Sequence, residues 1–215
     1  MKTFIALVAA LLSVGLTASS HAGLITVNWS AEADTYLADY NGSYLPVGDF
    51  IEIGTFASGP VIGSPSLAGF LQFAPGTIGE GGVGDGAFDI SSNGSDLGVA
   101  NDQIYFVMFN APTPALATEE AILDISDSVA SNWRFPAGYD IINSTSFDLQ
   151  QMVSNAGTPG ATLVPGATIV YGARLAYDPA GYTQIQFIPE PSSYALVGTG
   201  LIALLGLMRR RRSTP

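Results

Sequence analysis

Short apolar or alternating runs, punctuated by Gly, Pro, Asn and Asp, fill the middle of the chain, while longer uninterrupted apolar runs occupy both ends. Leu24–Ser30 alternates, with Ile25, Val27 and Trp29 on one face, and reads as a strand. Asp49–Ala57, Leu67–Ala74, Glu120–Ser126, Asn132–Phe135, Thr168–Tyr177 and Tyr182–Ile188 read the same way. Gln103–Asn110 is apolar on both faces, as a central strand is. Seven or eight short strands with turn signals between them predict an all-β fold, a single β-sandwich-like domain. One short helix is expected at Thr145–Asn155, where Thr145 and Asp148 stand in capping-box spacing and Gly157 follows. No repeat of solenoid or propeller length is present.

The ends follow different rules. Lys2, the uncharged run Phe4–Leu16 and the small exit Ser20-His21-Ala22 have the layout of a secretory signal peptide over residues 1–22. Cleavage is expected between Ala22 and Gly23 after passage through the Sec translocon. At the other end, Pro191–Met208 carries no charge in 18 residues and Arg209, Arg210, Arg211 and Arg212 follow at once. Eighteen helical residues reach ~27 Å, close to the hydrocarbon thickness of a bilayer. A basic block beside an apolar span holds that end in the cytoplasm. Signal-peptide and transmembrane helices are therefore expected to flank the domain at 23–187, with 188–215 as a temporary inner-membrane anchor. Within it, 192–208 forms the span and 209–212 the stop-transfer cluster.

Pro189-Glu190-Pro191-Ser192, an apolar span and an Arg cluster stand in that order in the last residues. The arrangement resembles the PEP-CTERM sorting signal of Gram-negative bacteria. The resemblance implies recognition by an exosortase, a membrane protease-transpeptidase that cuts near Pro189–Pro191. It also implies release of the body to the cell surface or the exopolysaccharide matrix. Tyr44–Gly48 with Phe50–Phe56, Phe106–Ala111, Ala117–Glu119 and Trp133–Pro136 resemble segments of other PEP-CTERM proteins, which carry no activity over to this chain.

Charge changes the picture once the ends are set aside. The whole chain holds 18 acids and 7 bases, a net of −11. Glu190 is the one acid outside 23–187, and Arg134 and Arg174 are the two bases inside, so the domain carries 17 − 2, a net of −15. Such a surface has no basic face for nucleic acid. The domain has no His, Lys or Cys, because Lys2 and His21 precede it and the chain has no Cys. That excludes His-based triads, zinc sites of His or Cys type, Schiff-base lysines and disulfides.

Carboxylate chemistry survives this filter. A glycosidase needs two facing carboxyls, ~5–5.5 Å apart for retention or ~6.5–9.5 Å for inversion. Adjacent Glu119 and Glu120 in a strand point to opposite faces and make a poor pair. No cofactor is called for; calcium is a second option, since it takes oxygen ligands from loops. The Gly-rich region Gly76–Asp102 holds Glu80, Asp85, Asp89, Asn93, Asp96, Asn101 and Asp102, of which Asp85, Asp89, Asp96 and Asp102 are the weak ligand candidates. Asp39-x-Asn41-Gly42 is a shorter one. Neither completes an EF-hand loop, and a solvated Gly/Asp loop is the plainer reading. Tyr36, Tyr40 and Tyr44, four apart, are candidates to stack on sugar rings; packing against the sheets, or a helical face in Ala31–Tyr40, is the plainer reading here too. The expectation is a non-enzymatic surface or matrix module that holds polysaccharide. The alternatives are a hydrolase with an Asp/Glu pair and a calcium-dependent adhesin.

Overall fold

The strands are set by alternation that finds a partner. The computed structural model describes residues 23–31, 34–95, 98–125, 133–136 and 143–188. The expected signal peptide, transmembrane span and Arg cluster lie outside these residues. The chain runs β1 (Leu24–Ala31), β2 (Thr35–Ala38), β3 (Phe50–Phe56), β4 (Phe70–Thr77), β5 (Phe88–Ser95), β6 (Tyr105–Phe109) and β7 (Glu120–Ile125). It continues with β8 (Asn143–Asp148), β9 (Val153–Ser154), β10 (Thr162–Leu163), β11 (Ala167–Tyr171), β12 (Ala173–Asp178) and β13 (Tyr182–Phe187). The fold is all-β, with short 3-10 turns at Pro114–Leu116 and Leu149–Met152.

Three sheets do most of the work. The largest has the order β11-β7-β6-β3-β4, and β6 at its centre is buried at every residue, as its two-faced apolar sequence predicts. A second sheet, β5-β1-β8, pairs β1 antiparallel to β5 and parallel to β8. The third, β12-β13-β2, joins a hairpin to β2 in parallel. One core joins Ile25, Val27 and Trp29 of β1 to Ile51 and Ile53 of β3, Phe106 and Met108 of β6 and Leu123 of β7. Phe88 stacks on Phe106 at 5.4 Å across this core. A smaller cluster, Phe56, Tyr105, Val107, Phe109, Ile122 and Val170, covers the opposite face of the five-stranded sheet.

Several expectations change. Thr145–Asn155 is not a helix: Thr145–Phe147 pair with Val27–Trp29 in β8, and Phe147 packs on Trp133 at 4.3 Å. Burial of Phe147 in a parallel pair outweighs the local capping signal, and the cap moves to Asp148, whose Oδ1 accepts from Gln150 N–H to close one 3-10 turn. Of Asn132–Phe135, Asn132 lies outside the described residues, and Trp133–Phe135 forms the bridge Gln103↔Arg134 rather than a strand, with Trp133 and Phe135 buried. Within the region read as a solvated loop, Phe88–Ser95 forms β5, because Phe88 and Ile90 turn inward and the polar run behind them pairs with β1. Ala31–Tyr40 holds strand β2 rather than a helical face.

Thr168–Tyr177 is not one strand but two, in different sheets, broken at Gly172. Gly172 has φ +71, and a Cβ there would run into the carbonyl of Glu120. Only glycine permits both the left-handed turn and this close approach. Asp49, just before β3, is 4% exposed, and burial pushes its carboxyl up to about 6.

Gly172→Ala is expected to lower the unfolding free energy by more than about 2 kcal/mol, read from the urea midpoint. Gly82→Ala has a similar φ of +84 but no atom near its Cβ, and should cost about 1 kcal/mol. Equal losses in the two variants would refute the clash. For Asp49, the folded chain keeps a proton that the unfolded chain releases, so its contribution is fully present below about pH 4. It fades as pH rises to about 6. Asp49→Asn should remove that slope from urea titrations across the same range, and an unaltered slope would contradict this.

Candidate functional site

The outward face of the β12-β13-β2 sheet collects side chains that the sequence scatters. Even-numbered residues of β13 take the face opposite Thr183, Ile185 and Phe187, where Gln184 and Gln186 are buried beneath the loop at Tyr40–Tyr44 and Tyr182 is half-buried. The register aligns Tyr36 with Gln184 and Asp178 with Tyr182. Tyr36 thus lies between two rings: it stacks on Tyr44 at 5.1 Å and 29°, and meets Tyr182 edge-on at 5.0 Å and 74°. Both are favourable aromatic geometries.

Polar groups lock the cluster. The Tyr44 hydroxyl donates to Asp178 Oδ2 at 2.6 Å. Burial, and then this hydrogen bond, hold the Tyr44 phenol above its ordinary pKa, so it stays a donor. The Ala180 N–H and then the Tyr44 hydroxyl hold the Asp178 carboxyl below the usual range. Gln184 Nε2 donates to the Gly42 carbonyl at 2.9 Å and Gln186 Nε2 to the Tyr40 carbonyl at 3.1 Å, which fixes the loop that carries Tyr44. Arg174 Nε donates to Gln186 Oε1 at 2.9 Å. The result is a preorganised, half-buried cluster of three phenol rings tied to the Asp178 carboxylate, with the Gln184 and Gln186 amides spent on holding the loop beneath it.

Of the expected tyrosines, Tyr36 and Tyr44 enter the cluster, while Tyr40 contributes its carbonyl and is itself 47% exposed. Tyr182 and Asp178 were not foreseen. The turn Asp178-Pro-Ala-Gly-Tyr182 between apolar runs signals a hairpin, and that pairing would have placed them side by side.

Among the described calcium candidates, Asp85, Asp89 and Asp102 are not brought together. Asp85 Oδ1 accepts from Val47 N–H at 3.0 Å and tethers two loops. Asp89 is exposed on β5 opposite Ser30, Asp102 lies before β6, and Asp96 is outside the described residues. Asp39 Oδ1 accepts from the N–H groups of Asn41 and Ser43, so the Asp39-x-Asn41-Gly42 segment is a self-closed turn. Among the described residues, no three His, Asp or Glu gather in a manner that would hold a metal ion.

The carboxylates of the five-stranded sheet are also spread out. Glu52 aligns with Val107 and Val107 with Ile122, so Glu120 and Asp124 each stand two strands across and two residues along from Glu52. At ordinary strand spacing that is ~12 Å between Cα atoms. Burial raises the Glu52 pKa, and Gln72 Nε2 donates to its Oε2 at 2.5 Å. One groove opens along Ile62, Ile169–Ala173 and Ile188 and another along Phe70–Phe73, Ser95 and Val99; the described residues that line them include no acid.

A family model for the PEP-CTERM protein-sorting motif matches residues 187–212. No curated protein and no solved structure matches the chain. The matched segment spans Pro189, Glu190, Pro191 and Ser192 and runs through Arg212, which makes exosortase the processing partner and export, with transient anchoring at the membrane, the route. The chain is thus a PEP-CTERM sorting domain-containing protein, an exported substrate of exosortase.

Proposed function

We propose that the domain at 23–187 is a non-enzymatic matrix module that binds polysaccharide through Tyr36, Tyr44 and Tyr182, edged by Asp178. It does so at the cell surface or in the exopolysaccharide matrix, after the tail has been removed. The observation that carries this reading is the stacked and hydrogen-bonded tyrosine cluster on an outward sheet face. Apolar ring faces match the C–H faces of a hexose, while the Asp178 carboxylate suits its hydroxyls.

The charge selects among glycans. A domain at −15 repels uronate-rich or sulfated chains at low salt, so a neutral polysaccharide is the better ligand. Divalent cations act here through general charge relief rather than through a dedicated site.

Affinity electrophoresis through gels containing neutral or uronate-rich polysaccharide tests the reading. The wild-type protein should be retarded by the neutral polymer, and Tyr36→Ala with Tyr182→Ala should weaken retention about tenfold, which is about 1.4 kcal/mol. Tyr44→Phe should lose less, since the ring remains. Retention that survives the double substitution would rule out this surface.

A further inference from the structure

The sorting motif begins inside the fold, with no spacer. The matched region starts at Phe187, the last residue of β13, which is fully buried and paired with Ala173. Ile188 N–H then donates to the Gly172 carbonyl at 2.9 Å. Covalent geometry confines the next three residues to within about 11 Å of Ile188, whatever path they take. An enzyme that reads Pro189–Pro191 therefore works against the surface of this domain.

That surface is a groove of ≈ 380 Å³ whose lining includes Ile62, Ile169, Val170, Tyr171 and Ile188. Its rim carries large aliphatic side chains in water: Ile62 is 74% exposed, neighbouring Val61 71% and Ile188 41%. The rim is held in place, because Gly63 N–H donates to the Val170 carbonyl at 2.8 Å, at the irregularity between Ile169 and Tyr171 in β11. In a domain at −15, this is an apolar hollow with no acid among the described residues that line it, directly beside the recognition motif. Exposed aliphatic surface of this kind marks an interaction site.

We propose that this groove is a docking surface for exosortase, which seats an apolar side chain of its extracytoplasmic part there while its catalytic centre takes Pro189–Pro191. The motif supplies recognition and the groove supplies position. Because Ile188 belongs to the groove and precedes Pro189 directly, the two contacts form one continuous interface.

Pulse–chase conversion of the full-length precursor, in cells that contain exosortase, tests this. Glu190→Ala should block conversion. Ile62→Asp should slow it about tenfold or more with an unchanged melting temperature, since Ile62 is exposed. Six Gly/Ser residues inserted between Ile188 and Pro189 should also slow conversion, by moving the motif away from the groove. If the domain only obstructed the enzyme, that insertion would accelerate conversion, and acceleration overturns the proposal. So does wild-type conversion of Ile62→Asp while Glu190→Ala stays blocked. A photo-crosslinking residue at position 62 should capture exosortase, identified by mass spectrometry; capture of phospholipid alone would assign the groove to the bilayer and sink the proposal. Normal conversion of Glu190→Ala removes the exosortase assignment itself, and the groove proposal with it.

Discussion

The indole of Trp29 sets how the sheets meet. It is fully buried, with ring centroids 5.2 Å from Phe88 and 5.9 Å from Phe106, so it spans the gap from β1 to the five-stranded sheet. Its Nε1 donates to Ser92 Oγ at 3.0 Å, so the polar edge of the ring is satisfied. Space for it comes from β4, where Gly76 leaves the room that a Cβ would take from Trp29 and Ile90. β1 carries the ring, pairs with both β5 and β8, and leads into β2. Displacing a fully buried Trp costs ~3–5 kcal/mol, a large share of the stability of one domain.

From β2 onward, the same path builds the outward surfaces. β12 begins at the apolar groove, where Ala173 is part of the lining, and ends at Asp178 beside Tyr44. Five residues of strand separate these points, ~17 Å. Its partner β13 runs back from Tyr182 in the tyrosine cluster to Phe187, beside which Ile188 holds the groove. One hairpin thus carries the tyrosine cluster at its turn and the sorting tail at its open end. The turn stays in place when the tail is cut away, because Phe187 and Ile188 remain bonded to β12 and Gly172.

How much of this was legible in the sequence varies by element. β1, β3, β6 and β13 were readable because each has apolar residues at strand period or a fully apolar run. β5 and β8 were not, since Ser91–Ser95 and Asn143–Ser146 are polar stretches whose strand state comes from pairing with β1. The break at Gly172 looked like the middle of one strand, and only the nearby Glu120 carbonyl makes a glycine necessary there. For the site, Tyr36 and Tyr44 could be picked out by composition. Asp178 could not, being 134 positions away in sequence from the hydroxyl it accepts.

The sorting route was determined by the sequence alone, because motif, apolar span and Arg cluster are contiguous and each is read by a local property: backbone shape, hydropathy and charge. The acidity of the domain and its lack of His, Lys and Cys were equally local facts. What the surface presents was decided only by tertiary structure. The parallel register of β13 with β2 sets Tyr36 beside Gln184, and the turn before Tyr182 aligns it with Asp178. The groove likewise exists only because β11 and β12 part at Gly172 and the loop around Ile62 closes over the break. Sheet register is a long-range choice made by the burial of whole faces, and a one-residue slip would turn every one of these side chains inward.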